Sequence, residues 1–155
     1  FFEPKRVYRA VKMEVPDGAY TIELGVGKVV REGEHVTVVA WGAMLYEAIA
    51  AAEQVASQGI SVEIIDPRTL WPLDIDLIAK SVEKTGRIVV VHEAPKACGF
   101  GAEILQLVCE KSFLHLQAPP ARVTGFDTPF PYTRENDYLP LAHRIVPQLI
   151  ETARY

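Results

Sequence analysis

The chain has 155 residues, enough for one ordinary domain that buries about 68–70% of the surface its unfolded form exposes. Its 49% apolar and 23% charged residues are those of an average globular protein, and a formal net charge of −4 gives no basic footprint for nucleic acid. No apolar run approaches the ~20 residues of a membrane span and no signal-peptide pattern opens the chain, so the sequence reads as a soluble domain without nucleic-acid or membrane partners.

In chain order, "FFEPKRVYRA" lacks an initiator methionine and opens on two aromatic residues, which reads as a fragment of a longer protein. Residues 1–34 hold no long periodic helix. "EVPDGAYTIEL" carries a Pro-Asp-Gly turn followed by a short alternating stretch, and "KVVREGEH" predicts a brief strand ending at Gly33. The segment therefore reads as a connector that contributes one edge strand to a domain over 35–155. "HVTVVAW" is a continuous β-branched run, the pattern of a strand buried on both faces. "AMLYEAIAAAEQVASQG" then sets Leu45, Ile49, Ala52 and Val55–Ala56 at helical spacing, with Gly59 as the stop.

"SVEIID" predicts the next strand, and the Pro-punctuated stretch after it predicts a helix capped by Asp74 and ended by Gly86. "RIVVVHE" follows as a strand, then a helix near 99–111, a connection through Pro119–Pro120 and a short strand "RVTGF". "DTPFPYTRENDYLP" reads as a loop. The final helix, near 139–153, carries Leu141, Ile145, Leu149 and Ile150 on one face, with Pro147 predicting a kink or a late start. Strands alternating with helices predict right-handed crossovers and a largely parallel sheet covered on both sides.

In such sheets, ligands bind outside the carboxyl ends of the strands. Those positions are Trp41–Gly42, Asp66–Arg68, His92–Pro95 and Asp127–Pro131. "GFGAEI" has Gly99 and Gly101 but Ile104 where a dinucleotide fingerprint needs its third glycine, and it follows the third strand of the series rather than the first; close helix–sheet packing is the simpler reading. His92 beside Glu93 is a candidate general base, but neighbours on an extended chain point to opposite sides, so a structural or interface role competes. Asp66 and Arg68 are either a local pair organising their loop or an anion site. The aromatic and proline residues of "DTPFPY" form a rigid apolar surface suited to burial under a neighbouring domain or subunit.

Cys98 would need an activating base to act as a nucleophile, and no sequence feature supplies one. Two cysteines cannot build a four-ligand metal site. If both lay on one helix, the separation of eleven positions from Cys98 to Cys109 would hold them ~16 Å apart, beyond disulfide reach, which fits a reduced intracellular setting. Read from the residues alone, this is a doubly wound α/β domain without a self-contained active site.

Four stretches go further: "FFEPKRVYR", "VEIIDPRTLWPLD", "HEAPKACGFGAEI" and "GFDTPFPY". Together, in this order and spacing, they resemble the carboxyl-terminal half of the beta subunit of thiamine-diphosphate-dependent 2-oxo acid dehydrogenases, and the branched-chain (2-oxoisovalerate) type more than the pyruvate type. One departure is Ala97–Cys98, where the family commonly has Thr-Gly or similar small residues.

The resemblance implies a transketolase carboxyl-terminal-like fold: three layers, α/β/α, around a five-stranded, mostly parallel sheet with one antiparallel strand, for which "KVVREG" is the candidate. It implies that "FFEPK" is the last strand of a preceding pyrimidine-binding domain. It also implies thiamine diphosphate and magnesium in the assembled enzyme but not on this segment, whose catalytic motifs would lie upstream of Phe1. The implied partners are an alpha subunit, a second beta subunit, the lipoyl-bearing acyltransferase component and a 2-oxo acid substrate. The implied location is the cytoplasm in a bacterium or archaeon and the mitochondrial matrix in a eukaryote. Glu151 and Tyr155 are the expected docking contacts for the acyltransferase, whose small binding domain is basic. A pyruvate-type beta subunit and a purely non-catalytic assembly module are the rival readings.

Overall fold

A computed structural model describes all 155 residues, Phe1–Tyr155. Five strands form one sheet: β1 (Lys28–Arg31), β2 (Val36–Ala40), β3 (Val62–Asp66), β4 (Ile88–Pro95) and β5 (Ala121–Gly125). Their order is β1-β3-β2-β4-β5. β2, β3, β4 and β5 run parallel to one another, and β1 runs antiparallel to β3. The helices are α1 (Ala43–Ala56), α2 (Ile75–Thr85), α3 (Gly101–Ser112), the single turn α4 (Glu135–Tyr138) and α5 (Ala142–Arg154). This is the expected five-stranded α/β/α sandwich, with "KVVREG" supplying the antiparallel strand.

The β-branched runs explain the layers. Side chains alternate across a strand, so Val36, Val38 and Ala40 of β2, with Val89 and Val91 of β4, face a cluster closed by α1 and α5. Val39, Ile65, Ile88 and Val90 face the opposite cluster, closed by Ile78 and Val82 of α2 and Ile104 and Val108 of α3. All nine of these strand side chains are fully buried, and each valine or isoleucine among them contributes about 1.5–3 kcal/mol relative to exposure. Thr37 is the polar exception on β2, and its hydroxyl meets Ser81 at 2.6 Å and Thr85 at 2.7 Å on α2.

Local chemistry sets the helix ends where it is strongest. Asp74 caps α2 by accepting the Leu77 N–H at 3.2 Å, and its other oxygen accepts the Gly27 N–H at 2.9 Å, tying the connector to the helix. Gly86 ends α2 in the left-handed conformation, φ 68°. The amino end of α5 is capped from a distance: Glu47 on α1 accepts the Ala142 N–H at 3.0 Å. Pro147 does not delay α5, which already begins at Ala142; lacking an N–H, it leaves the His143 carbonyl without an intrahelical donor.

Several expectations shift. The alternating stretch Tyr20–Leu24 forms no strand, and neither do Phe1–Pro4; the only regular turn before β1 is a 3-10 turn at Lys5–Val7. On α1 the buried stripe is Met44, Ala48, Ala51, Ala52 and Val55, while Leu45 and Ile49 sit half-buried at its flank, where α5 packs. The "DTPFPYTRENDYLP" loop contains α4, because Tyr138 is anchored by Phe130 at 5.1 Å and Phe126 at 6.3 Å between ring centroids. Cys98 lies in the turn before α3 rather than on it, and both cysteines are free. No helix is long and apolar enough to cross a membrane.

Candidate functional site

The strand order reverses between β2 and β4, so their carboxyl ends frame the crevice where an open α/β sheet offers a binding site. Trp41 follows β2 and His92 ends the buried part of β4. Their rings stack across the crevice, 5.4 Å between centroids and 21° between planes. Phe100 closes the third side, edge-on to Trp41 at 6.4 Å. The crevice is filled by the protein's own side chains.

The glycine turn belongs to this closure. A Cβ on Gly99 would lie 2.5 Å from His92 Cε1 and 2.4 Å from the Pro95 carbonyl oxygen, and one on Gly101 would lie 2.6 Å from His92 Nε2. Only glycine lets the start of α3 close over the imidazole at these distances. Gly99 and Gly101 thus have a packing reason within this structure, and a phosphate cradle is not needed to explain them.

His92 is only 1% exposed, and neither ring nitrogen has a hydrogen-bond partner. Burial, reinforced by the positive charge of Arg122, pulls its pKa below the ordinary histidine value. The neutral form of the ring is therefore favoured, and it is a weaker base than an exposed histidine. Thr124 is its register neighbour on β5, but that hydroxyl donates to the Gly125 carbonyl at 2.8 Å, and no group is hydrogen-bonded to the imidazole to exchange a proton with it. Glu93 lies on the surface while His92 is buried, so the pair does not form.

Asp66 does organise its loop, but through the backbone: its carboxylate accepts the Arg68 N–H at 2.9 Å, and Arg68 adopts a positive φ of 57°. No Asp66–Arg68 ion pair forms, and the two do not build an anion site together. Cys98 is exposed, with φ 56°, at the rim of a shallow hollow of about 410 Å³ lined by Trp71, Phe100 and Glu103. Glu151 is exposed on α5, where it accepts a hydrogen bond from Gln148 at 3.2 Å, and Tyr155 is exposed at the carboxyl terminus. No group of three or more His, Cys, Asp or Glu side chains comes together to hold a metal ion.

Two features escaped the sequence reading. Phe100 was hidden because nothing local reports that it meets Trp41, which is fifty-nine positions earlier in the chain. The second is a cleft of about 360 Å³ beside β5, where Lys96, Arg122 and Arg144 converge. These cations come from three separate elements, and no spacing rule links them.

Residues 25–145 match the family described as "Transketolase, C-terminal domain". The chain is 49% identical over 143 residues to the mitochondrial 2-oxoisovalerate dehydrogenase subunit beta of Dictyostelium discoideum, a match covering 90% of this chain and 38% of that protein. It is 51% identical over 138 residues to the pyruvate dehydrogenase E1 component subunit beta of Acholeplasma laidlawii, covering 89% of this chain and 42% of that one. Among solved structures, a split gene transketolase in an inactive beta4 tetramer superposes with a TM-score of 0.78 at 27% identity, covering 93% of this chain and 46% of that chain. The chain spans less than half the length of these relatives.

Proposed function

The chain belongs to the transketolase C-terminal domain family, and on that premise we propose that it is the carboxyl-terminal domain of the beta subunit of a 2-oxo acid dehydrogenase, of the branched-chain type. The observation that carries this reading is near-half identity to such a beta subunit along nine-tenths of the chain, combined with a switch crevice that its own Trp41, His92 and Phe100 fill. The enzyme would decarboxylate a 2-oxo acid and pass the acyl group to a lipoyl group on an acyltransferase. Thiamine diphosphate, held with magnesium elsewhere in the assembled enzyme, would supply the electron sink for that decarboxylation. This domain's own residues build the scaffold that the rest of the enzyme rests on.

The surface supports that division of labour. Residues 1–27 lie along the domain as a connector and expose Tyr8, Met13, Tyr20, Ile22 and Leu24, more apolar surface than an isolated domain needs. Arg6 anchors the connector by pairing with Glu47 at 3.9 Å and Glu135 at 3.6 Å. Phe130 and Tyr132 extend the exposed apolar surface at the α4 end. In the proposed assembly these patches meet the upstream half of the subunit, an alpha subunit and a second beta subunit. Glu151 and Tyr155, both exposed, remain the proposed contacts for the basic domain of the acyltransferase; deleting Arg154–Tyr155 should weaken that binding, and unchanged affinity would remove them from the interface.

The subunit's proposed location is the bacterial cytoplasm or the mitochondrial matrix, following its relatives. The pyruvate type is the second reading, favoured by the 51% identity to a pyruvate dehydrogenase beta subunit. Co-expression with an alpha subunit and an upstream beta half tests the proposal and separates the two. The expected result is decarboxylation of 2-oxoisovalerate in preference to pyruvate. A preference for pyruvate would select the second reading, and a purified assembly without activity on either would leave a non-catalytic assembly module.

A further inference from the structure

We infer that the cleft beside β5 is a binding site for the phosphoryl group of a small phosphorylated molecule, independent of how the whole subunit is read. β5 is one of the two edge strands of the sheet. The cleft follows it from Arg122 to Asp127, with Arg144 and Gln148 of α5 on one side and Lys96 at the end of β4 on the other. Its volume of about 360 Å³ falls within the range of small-molecule sites.

The charges in it are out of character with the rest of the chain. The chain is acidic overall, yet this cleft holds three cations and one carboxylate. None of the three cations, Lys96, Arg122 or Arg144, sits in an ion pair. The one carboxylate, Asp127, is engaged by the Ala97 N–H at 2.8 Å.

The two arginines are positioned rather than loose. Arg144 donates to the Tyr138 carbonyl at 2.7 Å and the Thr124 carbonyl at 2.8 Å, and its guanidinium lies 4.2 Å from the Phe126 ring centroid. Arg122 donates to the Lys96 carbonyl at 2.9 Å. Each spends only part of its five N–H donors on the protein and keeps the rest for a partner. A half-buried guanidinium without a counter-charge is costly, and burial alone pulls the Arg144 pKa down.

The excess of two positive charges over Asp127 matches a phosphoryl dianion better than a single carboxylate. Arginine forks suit its tetrahedral oxygens, and lysine serves as a point charge. The cleft also has room beyond the phosphoryl group, alongside the exposed part of Phe126, for the organic part of the ligand.

The test uses inorganic phosphate as the probe on the full chain, with sodium acetate at matched ionic strength as comparator, followed through the backbone amide resonances of β4, β5 and α5. The expected result is saturable shifts confined to Val123–Asp127 and the neighbourhood of Lys96, weaker with acetate. Lys96→Gln and Arg122→Gln should each weaken phosphate binding about fivefold, the size of one partly exposed charge pair. Arg134→Gln, which removes a cation paired with Asp137 outside the cleft, should leave it unchanged. Arg144→Gln is the weaker variant because it also releases two carbonyls, so the other two carry the test. No saturable response, an equal response to acetate, or binding that survives the Lys96→Gln/Arg122→Gln double variant would overturn the assignment.

Discussion

Two regions at the carboxyl ends of the strands lie one strand apart and are built in opposite ways. At the β2–β4 crevice, residues of the most chemical kinds, a histidine with a Gly-x-Gly turn beside it, are packed closely around the imidazole, which is 1% exposed. At the β5 edge, ordinary surface cations with a backbone-engaged aspartate leave a cleft open. Residue type alone therefore misleads about where this fold is available for binding. The deciding variable is whether the neighbours across the sheet close over a side chain or stand away from it.

The largest expected effect breaks the closed region. Gly101→Ala drives a methyl group to 2.6 Å from His92 Nε2, and overpacking of this kind should cost about 2–3 kcal/mol in denaturant unfolding. Combining it with His92→Ala should recover part of that loss. A double-mutant cycle with no coupling would mean that the glycine is not there for the imidazole.

Next comes the open region. Arg144→Gln removes hydrogen bonds to the Tyr138 and Thr124 carbonyls and should cost about 1–2 kcal/mol. A loss as large as that of Gly101→Ala would erase the contrast between a packed corner and an open edge.

The third prediction concerns pH. His92 has a lower pKa folded than unfolded, so the unfolded chain takes up its proton first as pH falls. Stability is then fully present above about pH 6.5, declines as pH falls towards the folded value, and levels off below it. Melting temperature followed through that window should drop in the wild type, and His92→Leu should flatten the drop. An unchanged slope in the variant would assign it to other groups. The acid side has a separate source: Glu63 is pushed up by burial but held lower by Lys84, Ser81 and the Gly33 N–H, and ends below its ordinary value. Its contribution is lost only in the carboxylate range.

The smallest effect is Cys98→Ser. The thiol is exposed and free, so stability should change by less than about 0.5 kcal/mol, with or without reductant. A larger change, or one that depends on reductant, would give the turn a role beyond geometry.

How much of this was legible in the sequence follows the range of the forces involved. α2 was readable from end to end because Asp74 and Gly86 act within a few residues. β2 and β4 were readable because continuous β-branched runs have few other uses. The burial stripe of α1 was displaced because an alanine-rich helix leaves the choice of face to its neighbour, here α5. α4 was invisible because a single turn has no periodicity, and it is held by Phe126 and Phe130 from earlier in the loop. For the crevice, the sequence placed Trp41 and His92 at strand ends, but not that they stack, since that contact depends on the order of strands. The cleft was the least legible, because Lys96, Arg122 and Arg144 meet only once β5 lies at the sheet edge with α5 beside it.

The central claim is that the crevice with His92 does no chemistry by itself. The direct measurement is turnover of 2-oxoisovalerate by the full chain alone, supplied with thiamine diphosphate and magnesium. The account predicts none. Turnover by the chain alone, and above all turnover abolished by His92→Gln in a folded variant, would contradict it.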